Sequence, residues 1–131
     1  TSKFVKESWA SAVGWYLTLQ EYERLGVSAC NFTIMDNKYD MQEWPNFKKI
    51  SLIYSPLFID MIDDYNQWYI DKTRPNDEVS GYLISIIDQN LKAFKCYDDI
   101  ETFMLNNRPS NVTNSQIYTL LKLYKEKWAE K

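Results

Sequence analysis

The sequence has no histidine and only two cysteines, three glycines and four prolines among its 131 residues. Histidine is the commonest general base near neutral pH and a frequent metal ligand. Its absence excludes Ser-His and Cys-His catalysis and the usual zinc and di-iron sites. Nucleotide hydrolysis has no support either, because the chain contains no Gly-rich phosphate-binding loop. We therefore expect no catalytic residue, no metal ligand and no cofactor.

Two classes of partner are disfavoured by charge and hydropathy. The formal net charge is −3, and the sequence contains no run of basic residues that would form a patch for nucleic acid. No apolar run exceeds three residues, the length of residues 82–84, which is far short of the roughly 20 residues that cross a membrane. We expect neither a nucleic acid partner nor a membrane partner.

Carboxylates are the remaining route to catalysis, because glycoside hydrolysis needs only a pair of them. The candidates are Glu7, Glu21, Glu23, Glu43, Asp98, Asp99 and Glu101. None stands in an apolar setting that would raise its pKa recognisably, and Asp98 and Asp99 suit a helix start. A second group of acidic residues consists of Asp60, Asp63, Asp64 and Asp71. We expect it to form the solvated outer face of an amphipathic helix rather than a metal site. A non-enzymatic protein is the favoured interpretation.

Apolar residues recur at helical spacing almost throughout, and glycine is too scarce for a fold rich in tight turns. This pattern predicts an all-α protein, with residues 1–131 forming one compact bundle of five or six helices. We expect a first helix that either ends near Gly26 or kinks there before Cys30, and a short helix through Phe47, Ile50 and Tyr54. Further helices are expected over 56–71, from Asn76 to Cys96, from Asp98 to before Pro109, and from Asn114 or Ser115 to Trp128. Phe58, Met61, Ile62, Tyr65 and Tyr69 are expected to face inward on the third helix.

Cys30 and Cys96 stand 66 positions apart. They either close one long loop as a disulfide or stay free as buried thiols, and the sequence alone leaves both open. The chain starts at Thr1 without an initiator Met, which fits either removal of an export signal or a shortened chain. An exported protein would suit the disulfide, and a cytoplasmic protein would suit the free thiols.

Five tryptophans are more than the apolar stripes of these helices are expected to hold. Trp68 lies at the edge of its stripe, and the irregular polar segment 37–44 contains Tyr39 and Trp44. Aromatic side chains at such positions are typical of protein–protein contacts. We expect Tyr39, Trp44 and Trp68 to bind a partner protein.

Two sequence stretches carry a resemblance to a known family. An acidic helix ends in Tyr65-x-x-Trp68-Tyr69-Ile70, and an apolar helix closes in Leu91-Lys-Ala-Phe-Lys-Cys96-Tyr-Asp-Asp99. With Cys30 after the first helix, this order resembles small periplasmic immunity proteins that protect bacteria from type VI secretion amidase effectors. The resemblance covers residues 30–103, and Phe94 stands where the family has leucine.

This resemblance implies an exported, disulfide-bonded helical protein that is often dimeric and blocks the active site of a toxin. With it, we expect a Cys30–Cys96 disulfide, a periplasmic or secreted location and another protein, a toxin, as the partner. The alternatives are an intracellular helical adaptor, including viral inhibitors of host signalling, and a small carboxylate-based hydrolase.

Overall fold

A computed structural model of the protein describes residues 2–26, 55–64, 66–69, 72 and 76–128. The described residues form five α-helices and two short 3-10 helices, and no β-strand occurs among them. The helices are α1 (Lys3–Arg24), α2 (Leu57–Ile62), α3 (Ile84–Asn90), α4 (Tyr97–Asn106) and α5 (Asn114–Lys127). The 3-10 helices are Gln67–Tyr69 and Leu91–Ala93. The all-α prediction is confirmed, whereas the helix expected through Phe47, Ile50 and Tyr54 lies outside the described residues.

Helix α1 has the ends that its sequence favours. Ser2 is the N-cap, and its hydroxyl accepts a hydrogen bond from the Val5 amide at 3.2 Å. Leu25 is the C-cap, and Gly26 follows it with φ of +72°, in the left-handed region that glycine adopts without strain. Of the two alternatives for Gly26, a helix end and a kink, the structure shows the helix end.

The core is a single cluster in which α1 packs against α2 and α4 packs against α5. Aromatic rings contribute to this core. Trp9 of α1 meets Phe58 of α2 edge to face, with ring centroids 5.4 Å apart, and Phe94, which precedes α4, meets Phe103 of α4 at 5.2 Å. Two polar bonds add to this packing. The Ser55 amide donates to the Ser8 hydroxyl at 3.0 Å, and the Trp9 indole donates to Asp88 at 3.2 Å. These contacts hold α1 against both α2 and α3.

The long helix expected over 56–71 is wrong, because α2 ends at Ile62. Asp63 takes an extended conformation, which leaves the last carbonyl groups of α2 without partners inside the helix. The backbone amide of Tyr82 donates to the Met61 carbonyl at 3.0 Å, and that of Gly81 donates to the Ile62 carbonyl at 3.3 Å. A distant segment therefore satisfies the end of α2.

Because of the same contacts, the next helix begins further along the sequence than Asn76, where it was expected to begin. Residues 76–83 are not helical, and α3 begins at Ile84 with Leu83 as its N-cap. Gly81 has φ of +83°, which a helix does not allow. The Tyr82 hydroxyl donates to the Met104 carbonyl at 2.6 Å, and burial raises the pKa of this phenol to about 12. Tertiary hydrogen bonds thus prevail over the helical spacing of this stretch.

The last two helices lie close to their predicted positions. Helix α4 begins one residue earlier than expected, and Asn107 caps it before Pro109. Thr113, rather than Asn114 or Ser115, is the N-cap of α5, in a reciprocal capping box with Gln116. Trp128 ends α5 as its C-cap and is fully buried.

Candidate partner-binding surface

Among the predicted partner-binding residues, the structure describes Trp68 alone. Tyr39 and Trp44 lie outside the described residues, as does Cys30. Trp68 belongs to the 3-10 helix Gln67–Tyr69 and is partly exposed. Trp9, Trp15 and Trp128 are all buried in the core.

Trp68 and Tyr69 form an exposed aromatic pair, which we call the aromatic platform. Their rings meet edge to face, with centroids 5.6 Å apart and an interplanar angle of 71°. Tyr69 is 73% exposed, more than the other large hydrophobic side chains that stand out from the described surface: Leu17, Leu25, Leu83 and Tyr118. The expectation that Tyr69 faces inward is therefore wrong. That expectation depended on a helix continuing to residue 71. The sequence signal that could have indicated an exposed site is the pair of consecutive aromatic residues, Trp68 and Tyr69.

Asn66 makes three hydrogen bonds that fix the turn carrying the aromatic platform. Its side-chain oxygen accepts from the Trp68 amide at 3.1 Å, and its backbone carbonyl accepts from the Tyr69 amide at 3.3 Å. Its amide nitrogen donates to the Asn76 side chain at 2.7 Å, which ties the turn to the segment leading into α3. Such turns built by asparagine fix the backbone locally. The two rings are therefore presented on an ordered turn.

Lys72 folds back over the aromatic platform. Its ammonium lies 3.3 Å from the Trp68 ring centroid and 5.6 Å from that of Tyr69. Both distances fall within the range of cation–π attraction, about 6 Å. The platform thus attracts a cation from its own chain.

A second exposed apolar surface lies on the C-terminal half of α1. An open depression of about 450 Å³ is lined by Leu17, Thr18, Glu21, Tyr22 and Leu25. Arg24 donates to Glu21 and holds the pKa of that carboxyl below its usual range. The large hydrophobic side chains exposed here are Leu17 and Leu25, whereas the best anchors of protein interfaces are Trp, Tyr and Arg. The aromatic platform is the stronger candidate.

The acidic residues of α2 are not arranged as predicted. Asp60 is 2% exposed and accepts a hydrogen bond from the Tyr124 hydroxyl of α5, so its place on a solvated outer face is wrong. Asp63 is partly buried, Asp64 is exposed as expected, and Asp71 lies outside the described residues. Substrate cannot reach a carboxyl group buried to this extent, so Asp60 is better explained as a link between helices. Over the described part of the chain, no group of three potential metal ligands occurs.

Cys96 is the N-cap of α4, is partly buried and has a free thiol. Its sulfur lies 3.6 Å from the Asp99 carboxylate, which also accepts from the Lys95 amide at 2.8 Å and the Cys96 amide at 3.3 Å. These hydrogen bonds, led by that from Lys95, lower the pKa of Asp99. Because Cys30 lies outside the described residues, the Cys30–Cys96 disulfide stays a prediction.

Comparisons with known proteins add no functional assignment. None of the described helices is long and apolar enough to span a membrane. No protein-family model, curated protein or solved structure matches the chain. Function is therefore inferred from the geometry of the described surface.

Proposed function

We propose that this protein is a non-enzymatic helical binding protein whose contact surface includes the aromatic platform. The observation that supports this function is an exposed Trp68–Tyr69 pair on a turn fixed by Asn66. Rigid aromatic side chains give a large contact area and lose little conformational entropy on binding. Tyr39 and Trp44 remain proposed contact residues of the same function.

The specific form that we propose is a periplasmic immunity protein that blocks a secreted toxin. The support is the sequence resemblance around Trp68-Tyr69 and Cys96. Inhibition would be steric, with the aromatic platform and its surroundings covering the toxin's substrate cleft. Homodimer formation is part of this proposal, since the resemblance implies it.

An intracellular adaptor is the second candidate function, and in that case Cys30 and Cys96 would both be free thiols. Reduced cysteines are the rule in the cytosol, whereas paired cysteines persist in oxidising compartments.

For the periplasmic form we predict that Cys30 and Cys96 are joined. Intact-mass measurement after alkylation without reductant should then show no labelled thiol, and reduction should expose two. Labelling of both thiols before reduction would contradict export and favour the adaptor.

Removal of the aromatic platform should abolish most of the affinity for the partner. We expect Trp68→Ala with Tyr69→Ala to raise the Kd by about 30-fold, since central aromatic anchors commonly contribute about 2 kcal/mol or more. The tagged full chain would capture its partner from an extract of the source organism. Mass spectrometry would identify that partner, and calorimetry with the purified partner would give the Kd of each variant.

Tyr118→Ala is the matched control, because Tyr118 is an exposed aromatic residue on a different element, α5. It should leave the Kd within about twofold, as expected for a residue outside the contact. A captured hydrolase whose activity the chain inhibits would support the immunity function. Equal effects of the two changes would remove the platform from the contact surface, and turnover of a glycan or peptide by the chain itself would overturn the non-enzymatic proposal.

A further inference from the structure

The net negative charge of the chain is concentrated around the aromatic platform. Residues 63–78 contain five acidic and two basic side chains, a net charge of −3. The rest of the chain carries 13 acidic and 13 basic side chains, so it has no net charge. The whole formal charge of the protein therefore resides in this short stretch.

One hydrogen bond brings two acidic segments of this stretch together. The Asn66–Asn76 hydrogen bond joins two segments, one preceded by Asp63 and Asp64, the other followed by Asp77 and Glu78. Each acidic residue lies one to three residues from that bond, or within about 10 Å along an extended chain. This distance to the bond is comparable with the Debye length of about 8–10 Å in physiological salt, so each carboxylate contributes to the negative potential near the bond.

The aromatic rings of this face also favour cations. Lys72 already occupies the neighbourhood of the Trp68 ring, and the Tyr69 ring is 73% exposed. Arginine is the cation most often found over aromatic faces, because its planar guanidinium stacks on the ring and is weakly hydrated. We call the platform and the acidic residues that flank the Asn66–Asn76 bond the acidic aromatic face: Asp63, Asp64, Trp68, Tyr69, Asp77 and Glu78.

We propose that the acidic aromatic face docks a basic segment of the partner protein and seats an arginine on Tyr69. This inference rests on the proposed function and specifies the chemistry of its partner. A second copy of the chain is a poorer occupant, because two such faces repel each other and the remainder of the chain has no net positive charge. The negative field of the face steers a basic partner into contact and makes its binding depend on salt.

The test is an NMR titration of the full chain with three short peptides of alternating sequence: Arg-Ser, Lys-Ser and Gln-Ser. The indole signal of Trp68, assigned from Trp68→Phe, should shift saturably with the Arg peptide and more weakly with the Lys peptide. The Gln peptide should leave it unchanged. Raising the salt from about 0.05 M to about 0.3 M should weaken Arg-peptide binding several-fold, because the Debye length falls below the spacing of the charges.

Charge variants separate a specific face from the overall charge of the molecule. Asp64→Asn with Glu78→Gln should raise the Kd of the Arg peptide about tenfold, since both carboxylates belong to the face and are exposed. Glu78→Gln keeps an oxygen that can accept the hydrogen bond from Gln116. The control is Glu23→Gln with Glu126→Gln, which makes the same charge change on α1 and α5 and should leave the Kd within about twofold.

An equal effect of the two pairs would overturn the proposal, because binding would then follow net charge alone. A shift caused equally by the Gln peptide would overturn it too. Affinity measurements with the purified partner from the capture experiment distinguish a failure of this inference from a failure of the proposed binding function. If binding of this partner requires Trp68 and Tyr69 but is unaffected by the changes at Asp64 and Glu78, the binding function is supported and the docking of a basic segment is contradicted.

Discussion

Trp128→Ala is expected to lower the free energy of unfolding by about 4 kcal/mol, in the range measured for truncation of large buried aromatic residues. Trp128 is fully buried, and its ring stacks on Tyr124 with centroids 5.2 Å apart and an interplanar angle of 20°. Its amide also donates to the Tyr124 carbonyl at 3.0 Å at the end of α5. Alanine would remove the ring contacts and leave a cavity where α5 meets the core.

Urea denaturation followed by far-UV circular dichroism measures this loss. Tyr118→Ala is the control, since Tyr118 lies on the same helix and is 49% exposed. We expect it to cost less than about 1 kcal/mol, as is usual for surface substitutions. Similar losses for the two variants would contradict the burial of Trp128 in the core.

Helical periodicity predicted those parts of the fold in which one face of a helix meets the core and the other meets water. In α5 the buried residues Ile117, Leu120, Leu121 and Tyr124 recur at steps of three, one and three, with exposed or partly exposed side chains between them. Capping residues then locate the ends, as Ser2 and Gly26 do for α1. Such signals are local, so a single sequence contains them.

Prediction failed where long-range contacts decide the local structure. Five of the six residues of α2 are buried, so this helix has no solvated face from which its orientation could be inferred. Its end is set by the amides of Gly81 and Tyr82, about twenty positions further along the chain. Periodicity within a short window does not record a hydrogen bond of that separation.

The same contrast between local sequence signals and long-range contacts applies to the candidate site. Trp68 was predicted as a contact residue from its position at a stripe edge, and the structure does place it at the surface. Tyr69 was placed in the core because the helix was expected to continue past Ile62. Its exposure follows from the turn that Asn66 builds, which depends in turn on the bond from Asn66 to Asn76. The platform therefore arises from a tertiary contact rather than from helical spacing.

Tyr124→Phe is expected to cost about 3 kcal/mol, because it removes a hydrogen bond to a buried carboxyl group while preserving the ring. The Tyr124 hydroxyl of α5 donates to Asp60 of α2, and both residues are almost completely buried. Phenylalanine retains the stacking on Trp128, so the loss reports the polar contact between the two helices. Removing a partner of a buried polar pair costs more than the pair contributes, since the remaining group keeps its desolvation penalty.

A double-mutant cycle with Asp60→Ala isolates this contact, using the free energies of unfolding of both single variants and the double variant. Direct contact predicts that the double variant loses clearly less stability than the sum of the single losses, with a coupling of about 1 kcal/mol or more. Tyr118→Phe removes a hydroxyl from the exposed side of the same helix and should change stability by less than about 0.5 kcal/mol. Strictly additive losses would show that Asp60 and Tyr124 act separately. A non-additive result would establish that a carboxyl group which the sequence assigned to water instead joins α2 to α5.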